Sequence, residues 1–340
     1  MEFGEVPLSE AEGAVLAHSM AVDGGRIRKG AVLTAADLER LAAAGQDRVW
    51  IARLGPEDVA EDAAAARLAA AIAPEPAALD LRIGAAGTGR VNLFATGPGI
   101  VEVDASAIAA INGVDPMITI ATVPEWHRLE AGGMAATIKI IAYGVPEAAL
   151  AAACAGAEGA LRVRPAVLRR AMLIETEVGL PLGDKGRRAL EMRLQRLGVG
   201  LEEYRVVPHR VEDLAEALAA SEAEVLFVLT GSATSDPRDT APDAVRVAGG
   251  TVERFGMPVD PGNLLFIGEL GGRPVIGLPG CARSPALNGA DWVLERVLCG
   301  VPVSGADIAA MGVGGLLKEM PSRPVPRVKG GAGARDLVGE

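Results

Sequence analysis

The densest group of residues suited to chemistry is a short loop that follows a fully apolar stretch. The loop, 230–239, comes after the apolar run 225–229 and precedes a predicted helix. Gly231 lets the backbone turn tightly and approach a ligand. The free amides and partial positive charge at the start of the helix suit a phosphate. The candidate binding residues of this loop are Thr230, Gly231, Ser232, Thr234 and Ser235.

Two acids of the same loop, Asp236 and Asp239, are candidate Mg²⁺ ligands and candidate catalytic groups. Mg²⁺ is a hard cation that prefers carboxylate oxygens. The alternative interpretation is structural, because Ser and Asp side chains before a helix often accept hydrogen bonds from its first amides. The spacing alone leaves both interpretations open.

Two later loops contain turn residues that could wall a binding site. The loop 257–263 contains Pro261 and Gly262, which by themselves are typical of an ordinary turn. The loop 277–285 predicts a sharp bend from strand to helix, and its amides and guanidinium could bind an anion. Its candidate residues are Pro279, Gly280, Cys281, Arg283 and Ser284. Because no histidine lies near Cys281 in the sequence, we interpret it as a loop residue rather than a nucleophile.

A further candidate is the segment 183–186, directly before another predicted helix. Asp184 suits the N-cap position, and its carboxylate is also a candidate catalytic group. Lys185 could contact a phosphate.

The elements that must position these loops form a regular series after Arg170. Strands are predicted at 170–175, 203–207, 225–229, 251–255, 264–269 and 274–277, and helices at 184–197, 211–220, 240–248 and 284–298. This alternation predicts an α/β fold, a three-layer αβα sandwich around a mostly parallel sheet. Ligands of such sheets bind at the carboxyl ends of the strands, where the candidate loops fall.

The chain before this series predicts a mixed α+β region of short strands and glycine turns. A capping box at Ser9–Glu12 predicts a helix that ends near Ser19. We expect an N-terminal region over 1–165, with a subdomain break near 74–80, and the α/β domain over 166–303. A helical segment over 304–320 and a disordered tail over 321–340, which is rich in Pro, Gly and Arg, follow.

Composition excludes several classes of protein. The net charge is −11 and the pI is about 5.0, which argues against general nucleic-acid binding. The three cysteines form no disulfide or metal-binding pattern. Since no apolar run approaches the roughly 18 residues of a membrane span, we predict a cytoplasmic protein without membrane contact.

The order of the loops resembles the molybdopterin-binding domain family, which includes MogA-type adenylyltransferases and MoeA-type molybdenum insertases. The resemblance covers about 170–298 and rests on Thr230-Gly-Ser-x-Thr with Asp239, on Gly249-Gly250, on Pro261-Gly262 and on Gly277-Leu-Pro-Gly280. The N-terminal segment Val6-Pro-Leu, with Gly13 and Val15-Leu-Ala17, is similar to the opening of the insertase type.

This resemblance implies molybdopterin, or its adenylylated form, as the ligand. It also implies a role in molybdenum cofactor biosynthesis, insertion or handover to a client molybdoenzyme. Mg²⁺ and ATP are implied if the chain is a transferase, and homo-oligomers are usual among the relatives.

Departures from the family pattern favour a carrier over a metal insertase. Asp260 and Asn263 stand where the insertase motif has Arg and Lys, Cys281 where it has Asn, and Ser232 where it has Gly. The first two changes remove positive charge. Two further hypotheses stay open: a nucleotide- or sugar-phosphate-binding transferase on a doubly wound sheet, and a non-catalytic module that senses the cofactor.

Overall fold

The computed structural model describes residues 1–179 and 182–317. The chain divides into two compact units, 1–165 and the part that begins at Ala166. The tail predicted to be disordered, 321–340, lies outside the described residues. In the described ranges, no helix combines the length and the apolar character that crossing a membrane requires.

The N-terminal unit consists of short strands and four short helices in its described residues. The strands are β1 Glu2–Pro7, β2 Val15–Leu16, β3 Met20–Val22, β4 Gly25–Ile27, β5 Arg48–Arg53, β6 Asp58–Ala60, β7 Leu81–Ile83, β8 Arg90–Ala95, β9 Gly99–Val103, β10 Ile118–Thr122, β11 Arg128–Leu129, β12 Met134–Ile140, β13 Gly144–Pro146 and β14 Leu161–Arg164. The helices are α1 Ala35–Ala43, α2 Glu61–Ile72, α3 Ala105–Val114 and α4 Glu147–Cys154. The predicted mixed α+β character is confirmed.

The start of this unit differs from the prediction, because a helix over 9–19 does not form. β1 pairs with β5 in antiparallel register, and only a single 3₁₀ turn follows at Leu8–Glu10. Ala11, Ala14 and Leu16 are buried in a cluster with β5 and α1. Sheet pairing and burial therefore override the local capping signal.

Two hydrophobic clusters make up this unit. The first uses residues between 11 and 51, and the second uses residues between 64 and 163. Helix α2 packs into the second cluster with the four-stranded sheet β10-β12-β8-β7. The segment 74–80, where we expected a break, thus lies within the range of the second cluster and not between the two.

The C-terminal unit contains one six-stranded sheet in the order β16-β15-β17-β20-β19-β18. Its strands are β15 Arg170–Glu177, β16 Gly200–Pro208, β17 Val225–Leu229, β18 Thr251–Phe255, β19 Phe266–Leu270 and β20 Arg273–Gly277. Its helices are α5 Lys185–Gln195, α6 Val211–Ala219, α7 Thr240–Val247, α8 Gly289–Leu298 and α9 Gly305–Ala310.

Five of these strands run in the same direction, and β19, between β20 and β18, runs in the opposite direction. β15 pairs in parallel with β16 and β17, and β17 with β20. β19 joins β20 through Gly271 and Gly272, whose φ angles of 59° and 79° fit a two-residue hairpin turn. Such a short connection forces antiparallel pairing, since a parallel crossover needs a dozen residues or more.

Helices cover both faces of this sheet. α6 and α7 pack on the face that includes Met172, Ile174, Leu226 and Val228. Glu175 and Leu229 point to the opposite face, where Gly186 of α5 lies against them. α8 lies beside α5, to which a buried ion pair joins it. The predicted α/β class, with a mostly parallel C-terminal sheet, is confirmed.

Two predicted helices are shorter than expected. The last long helix begins at Gly289 rather than Ser284, because Asn288 and Asp291 form a capping box there and Gly280–Arg283 forms a separate 3₁₀ turn. In the segment 304–320, α9 ends at Ala310, shortly before Gly314 adopts a φ of 83°.

Candidate functional site

Three candidate loops leave the sheet at the same edge. The C-terminal ends of β17 and β20 are adjacent, because Val228 is opposite Gly277. The C-terminal end of β18 lies at the same edge, because Phe255 is opposite Phe266 and Phe266 is opposite Gly277. We name the segment 230–239 the hydroxyl loop, 257–263 the Pro-Gly loop and 277–288 the Leu-Pro-Gly loop. The hydroxyl loop and the Leu-Pro-Gly loop follow neighbouring parallel strands, as the fold class requires of a binding edge.

The hydroxyls of the hydroxyl loop divide into two groups. Thr230 and Thr234 are buried, and their Oγ1 atoms lie 3.1 Å apart. The Thr230 hydroxyl also donates to the carbonyl of Ser232 at 2.6 Å. Ser232 and Ser235 are exposed. The two threonines therefore shape the loop, and the two serines are available to a ligand.

The two acids of this loop hold its backbone. Asp239 is the N-cap of α7 and accepts from the amides of Thr240 at 2.7 Å and Ser235 at 3.0 Å. Asp236 accepts from the amide of Arg238 at 2.8 Å, and this bond holds the pKa of Asp236 below its ordinary value. Among residues 1–179 and 182–317, no three His, Cys, Asp or Glu side chains gather as a metal-binding group. Asp239 therefore caps α7 and Asp236 holds a turn of the loop, and the metal-binding and catalytic roles of both acids stay predictions.

Gly231 is required by the close approach of strand β15. Its amide donates to Thr176 Oγ1 at 3.0 Å, and a Cβ atom at this position would overlap the carbonyl oxygen of Thr176. Thr176 Oγ1 also lies 2.8 Å from His209 Nδ1. No sequence pattern pointed to this arrangement, since Thr176, His209 and Gly231 lie on three separate segments.

Arg283 links the Leu-Pro-Gly loop to the hydroxyl loop. Its Nη2 donates to the carbonyl of Thr230 at 3.1 Å and lies 3.8 Å from Glu175 Oε1. Cys281 Sγ accepts from Asn288 Nδ2 at 3.1 Å, which is a bond within its own loop. The predicted anion-binding arginine therefore lies where the two loops meet.

Within residues 1–179 and 182–317, two cavities border the Leu-Pro-Gly loop. The larger, which we name the basic cavity, has a volume of about 850 Å³ and contains three cations, Lys185, Arg188 and Arg283. Its remaining lining residues are Asp184, Ala189, Met192, Gly280, Cys281, Ser284 and Pro285. The small cavity, of about 300 Å³, is lined by Ala233, Asp260, Pro261, Gly262, Asn263, Leu264, Pro279, Gly280 and Cys281. Gly280 and Cys281 line both, so the two cavities meet at the Leu-Pro-Gly bend.

The predicted site residues are therefore distributed around one edge of the sheet. Asp184 and Lys185 line the basic cavity together with Arg283 and Ser284, and Pro261 and Gly262 line the small cavity together with Pro279. Asp184 precedes α5 but makes no capping bond to it, and its carboxylate pairs with Arg188 at 2.7 Å instead.

A buried arginine that sequence reasoning missed fixes the Leu-Pro-Gly loop. Arg193 of α5 donates to the carbonyls of Ala282 at 2.9 Å, Ser284 at 2.9 Å and Ala286 at 3.2 Å. Its Nε also bonds to Asp291 of α8, and both side chains are buried. The available signal was a charged residue on the apolar face of a predicted helix.

A buried acid lies behind Arg283. Glu175 is fully buried, and Tyr204 donates to its Oε2 at 3.0 Å. Burial raises the pKa of Glu175, although the Tyr204 bond and the nearby arginines oppose this effect. Burial, followed by the charge of Glu175, raises the pKa of Tyr204 to about 12.

Comparisons with known protein families match both units of the chain. Residues 177–298 match the model of a family described as a probable molybdopterin binding domain. Residues 5–53 match a family described only as a domain of unknown function. No curated protein sequence matches the chain significantly.

Solved structures that match parts of this chain include the following three proteins. The molybdopterin biosynthesis MoeA protein of Pyrococcus horikosii is 16% identical, with 87% of this chain and 75% of that chain covered and a TM-score of 0.30. The molybdopterin biosynthesis enzyme MoaB of Thermus thermophilus is 19% identical, with 40% and 99% covered and a TM-score of 0.31. CinA of Thermoplasma acidophilum, a protein with unknown function, is 13% identical, with 34% and 90% covered and a TM-score of 0.29.

The family match begins at the last residue of β15 and ends at the last residue of α8, so it includes the hydroxyl, Pro-Gly and Leu-Pro-Gly loops. The C-terminal unit of this chain thus contains a domain that matches the family described as a probable molybdopterin binding domain.

Proposed function

We propose that the C-terminal unit binds molybdopterin at the edge of the sheet where the hydroxyl loop meets the Leu-Pro-Gly loop. The observation that carries this proposal is the position of Arg283, which borders the basic cavity and is bonded to the hydroxyl loop. A guanidinium and exposed hydroxyls suit the phosphate of the ligand. Eight of the 17 residues that line the two cavities are Pro, Gly, Ala or Met, and these parts of the walls suit an uncharged ring system.

The role that we propose is that of a carrier in molybdenum cofactor biosynthesis, which hands the ligand to a client molybdoenzyme. Asp260 and Asn263 line the small cavity at positions where the insertase motif has basic residues. Without those charges, this cavity offers little stabilisation to a second anionic group, such as the phosphates of ATP.

Mg²⁺ fits this site only together with a ligand phosphate. Asp236 Oδ1 accepts hydrogen bonds from the amide and the Nε of Arg238, so Asp236 Oδ2 can bind a cation. Both carboxylate oxygens of Asp239, in contrast, accept hydrogen bonds from backbone amides. Mg²⁺ in proteins often takes one or two carboxylates and completes its shell with phosphate and water. When bound, the ion would offset phosphate charge at the hydroxyl loop.

A fluorescence titration with molybdopterin under anaerobic conditions tests the proposal. We expect Arg283→Ala to weaken binding by about ten- to a hundredfold, which corresponds to the free energy of one charge-assisted hydrogen bond. Arg40→Ala is the matched control, because it removes the same charge from an exposed side chain of the N-terminal unit. Equal affinity of wild type and Arg283→Ala would exclude the proposed site, and ATP turnover with bound molybdopterin would exclude the carrier role.

A further inference from the structure

One carboxylate oxygen next to the proposed anion site has no hydrogen-bond donor in the described part of the chain. Glu175 Oε1 is buried and makes no hydrogen bond within residues 1–179 and 182–317. The nearest cationic nitrogen, Arg283 Nη2, is 3.8 Å away, which is too far for a hydrogen bond. Because an unsatisfied buried carboxylate oxygen is unfavourable, the fold retains Glu175 at a cost in stability.

Arg283 separates this acid from the basic cavity. The Glu175 side chain is 1% exposed, whereas that of Arg283 is 29% exposed and borders the cavity. The same nitrogen, Nη2, faces Glu175 and donates to the carbonyl of Thr230. An anion in the cavity and the carboxylate of Glu175 therefore compete for the positive charge of one guanidinium.

We propose that Glu175 is a positioning residue whose charge sets how strongly Arg283 attracts an anion in the basic cavity. This inference rests on the proposed function, since it takes the basic cavity as the place of the ligand's anionic group. When Glu175 is ionised, its negative charge offsets part of the positive electrostatic potential of Arg283, which weakens anion binding. Protonated Glu175 leaves the full charge of Arg283 to the anion, so anion binding and proton uptake by Glu175 favour each other.

Of Glu175 and the three groups that face it, Glu175 is the one whose charge changes between acidic and neutral pH. Tyr204 faces it from β16, Arg187 from α5 and Arg283 from the Leu-Pro-Gly loop. With its pKa raised to about 12, Tyr204 remains a hydrogen-bond donor, and the two guanidinium groups remain charged. Glu175 has a pKa that burial raises above the ordinary value, which moves its ionisation towards neutral pH.

Sulfate is a suitable probe, because it stays doubly charged over the whole range from about pH 5 to 8.5. The full chain is titrated with sulfate at several pH values, as wild type and as Glu175→Gln. Gln keeps an acceptor for Tyr204 and cannot ionise. Glu177→Gln is the matched control, since this acid lies on the same strand but is exposed.

We expect the sulfate affinity of wild type to fall about tenfold as pH rises, because a charge within 4–6 Å shifts a neighbouring ionic equilibrium by about one unit or more. Glu175→Gln should bind sulfate at every pH as tightly as wild type does in acid, and Glu177→Gln should follow wild type. In Tyr204→Phe, Glu175 loses its donor, so its pKa rises and the pH midpoint of sulfate binding moves up.

Sulfate binding that is absent, independent of pH in wild type, or still pH-dependent in Glu175→Gln would overturn the inference. These outcomes are distinct from a failure of the proposed function. If molybdopterin does not bind but sulfate shows the expected dependence, Glu175 controls an anion site with another ligand. If molybdopterin binds but Glu175→Gln changes nothing, only the role of Glu175 is refuted.

Discussion

Replacement of Arg193 by Met should remove the hydrogen bonds that hold the Leu-Pro-Gly loop to helix α5. Arg193 pairs with buried Asp291 and donates to the carbonyls of Ala282, Ser284 and Ala286. Removal of one partner from a buried ion pair costs about 3–5 kcal/mol, because the remaining charge is left uncompensated. Met fills much of the same space, so packing alone should change little.

Asp291 allows the two contributions to be separated. Its Oδ2 accepts from the amide of Asn288 at 2.8 Å as part of the capping box. Asp291→Asn removes the charge and retains an acceptor for the cap. The double variant Arg193→Met/Asp291→Asn should therefore recover about 1–3 kcal/mol relative to Arg193→Met, since no unpaired charge stays buried.

Hydrogen exchange at increasing urea concentrations, read by mass spectrometry, is the appropriate assay because it resolves α5, α8 and the Leu-Pro-Gly loop separately. We expect Arg193→Met to lower the opening free energy of these peptides by about 3–5 kcal/mol. The control is Arg196→Met at the end of the same helix, which should change it by less than about 1 kcal/mol. A loss below about 1 kcal/mol in Arg193→Met would refute the assignment of Arg193 as the residue that fixes this loop.

Three other contacts can be tested by single substitutions. Gly231→Ala forces a methyl group against the Thr176 carbonyl, so urea unfolding should show a loss of about 1–3 kcal/mol; a neutral result would contradict the close approach. Glu175→Gln should be more stable than wild type at pH 8, and this difference in stability should vanish towards about pH 4.5. The reason is that burial raises the pKa of Glu175 in the folded state, so wild type loses stability as pH rises through that pKa. Thermal unfolding of both proteins across this range measures the difference, and a difference that does not change with pH would refute the argument. Asp239→Asn should retain molybdopterin binding within about fivefold, since Asn can still accept one of the two hydrogen bonds that Asp239 accepts, from the amide of Thr240 at the start of α7. A complete loss of binding in the fluorescence titration would show that the carboxylate itself contacts the ligand.

The sequence was most informative where secondary structure alternates regularly. The apolar run 225–229 is a fully buried central strand, as its composition predicts, and the loop after it lies at the carboxyl edge. The identity of that edge follows from chain direction alone, so the grouping of the hydroxyl loop with the Leu-Pro-Gly loop was predictable.

What the sequence did not reveal depends on contacts between distant segments. Arg193 and Asp291 are 98 residues apart, and Glu175 meets Arg283 only because β15 and β20 both lie next to β17 in the sheet. A local signal also failed at the N-terminus, where pairing of β2 with β5 replaced part of the helix that the capping box predicted. Such long-range pairings leave no trace in the spacing of residues along one segment.

Calorimetry on the anaerobically purified full chain is the decisive test of molybdopterin binding at the edge of the C-terminal sheet. Molybdopterin, its adenylylated form and ATP are compared with wild type and with Arg283→Ala. We expect molybdopterin to bind wild type with one site per chain, Arg283→Ala to lose about ten- to a hundredfold in affinity, and ATP to bind much more weakly. Absence of molybdopterin binding at saturating concentrations, or a preference for ATP, would refute molybdopterin as the ligand of this edge of the sheet.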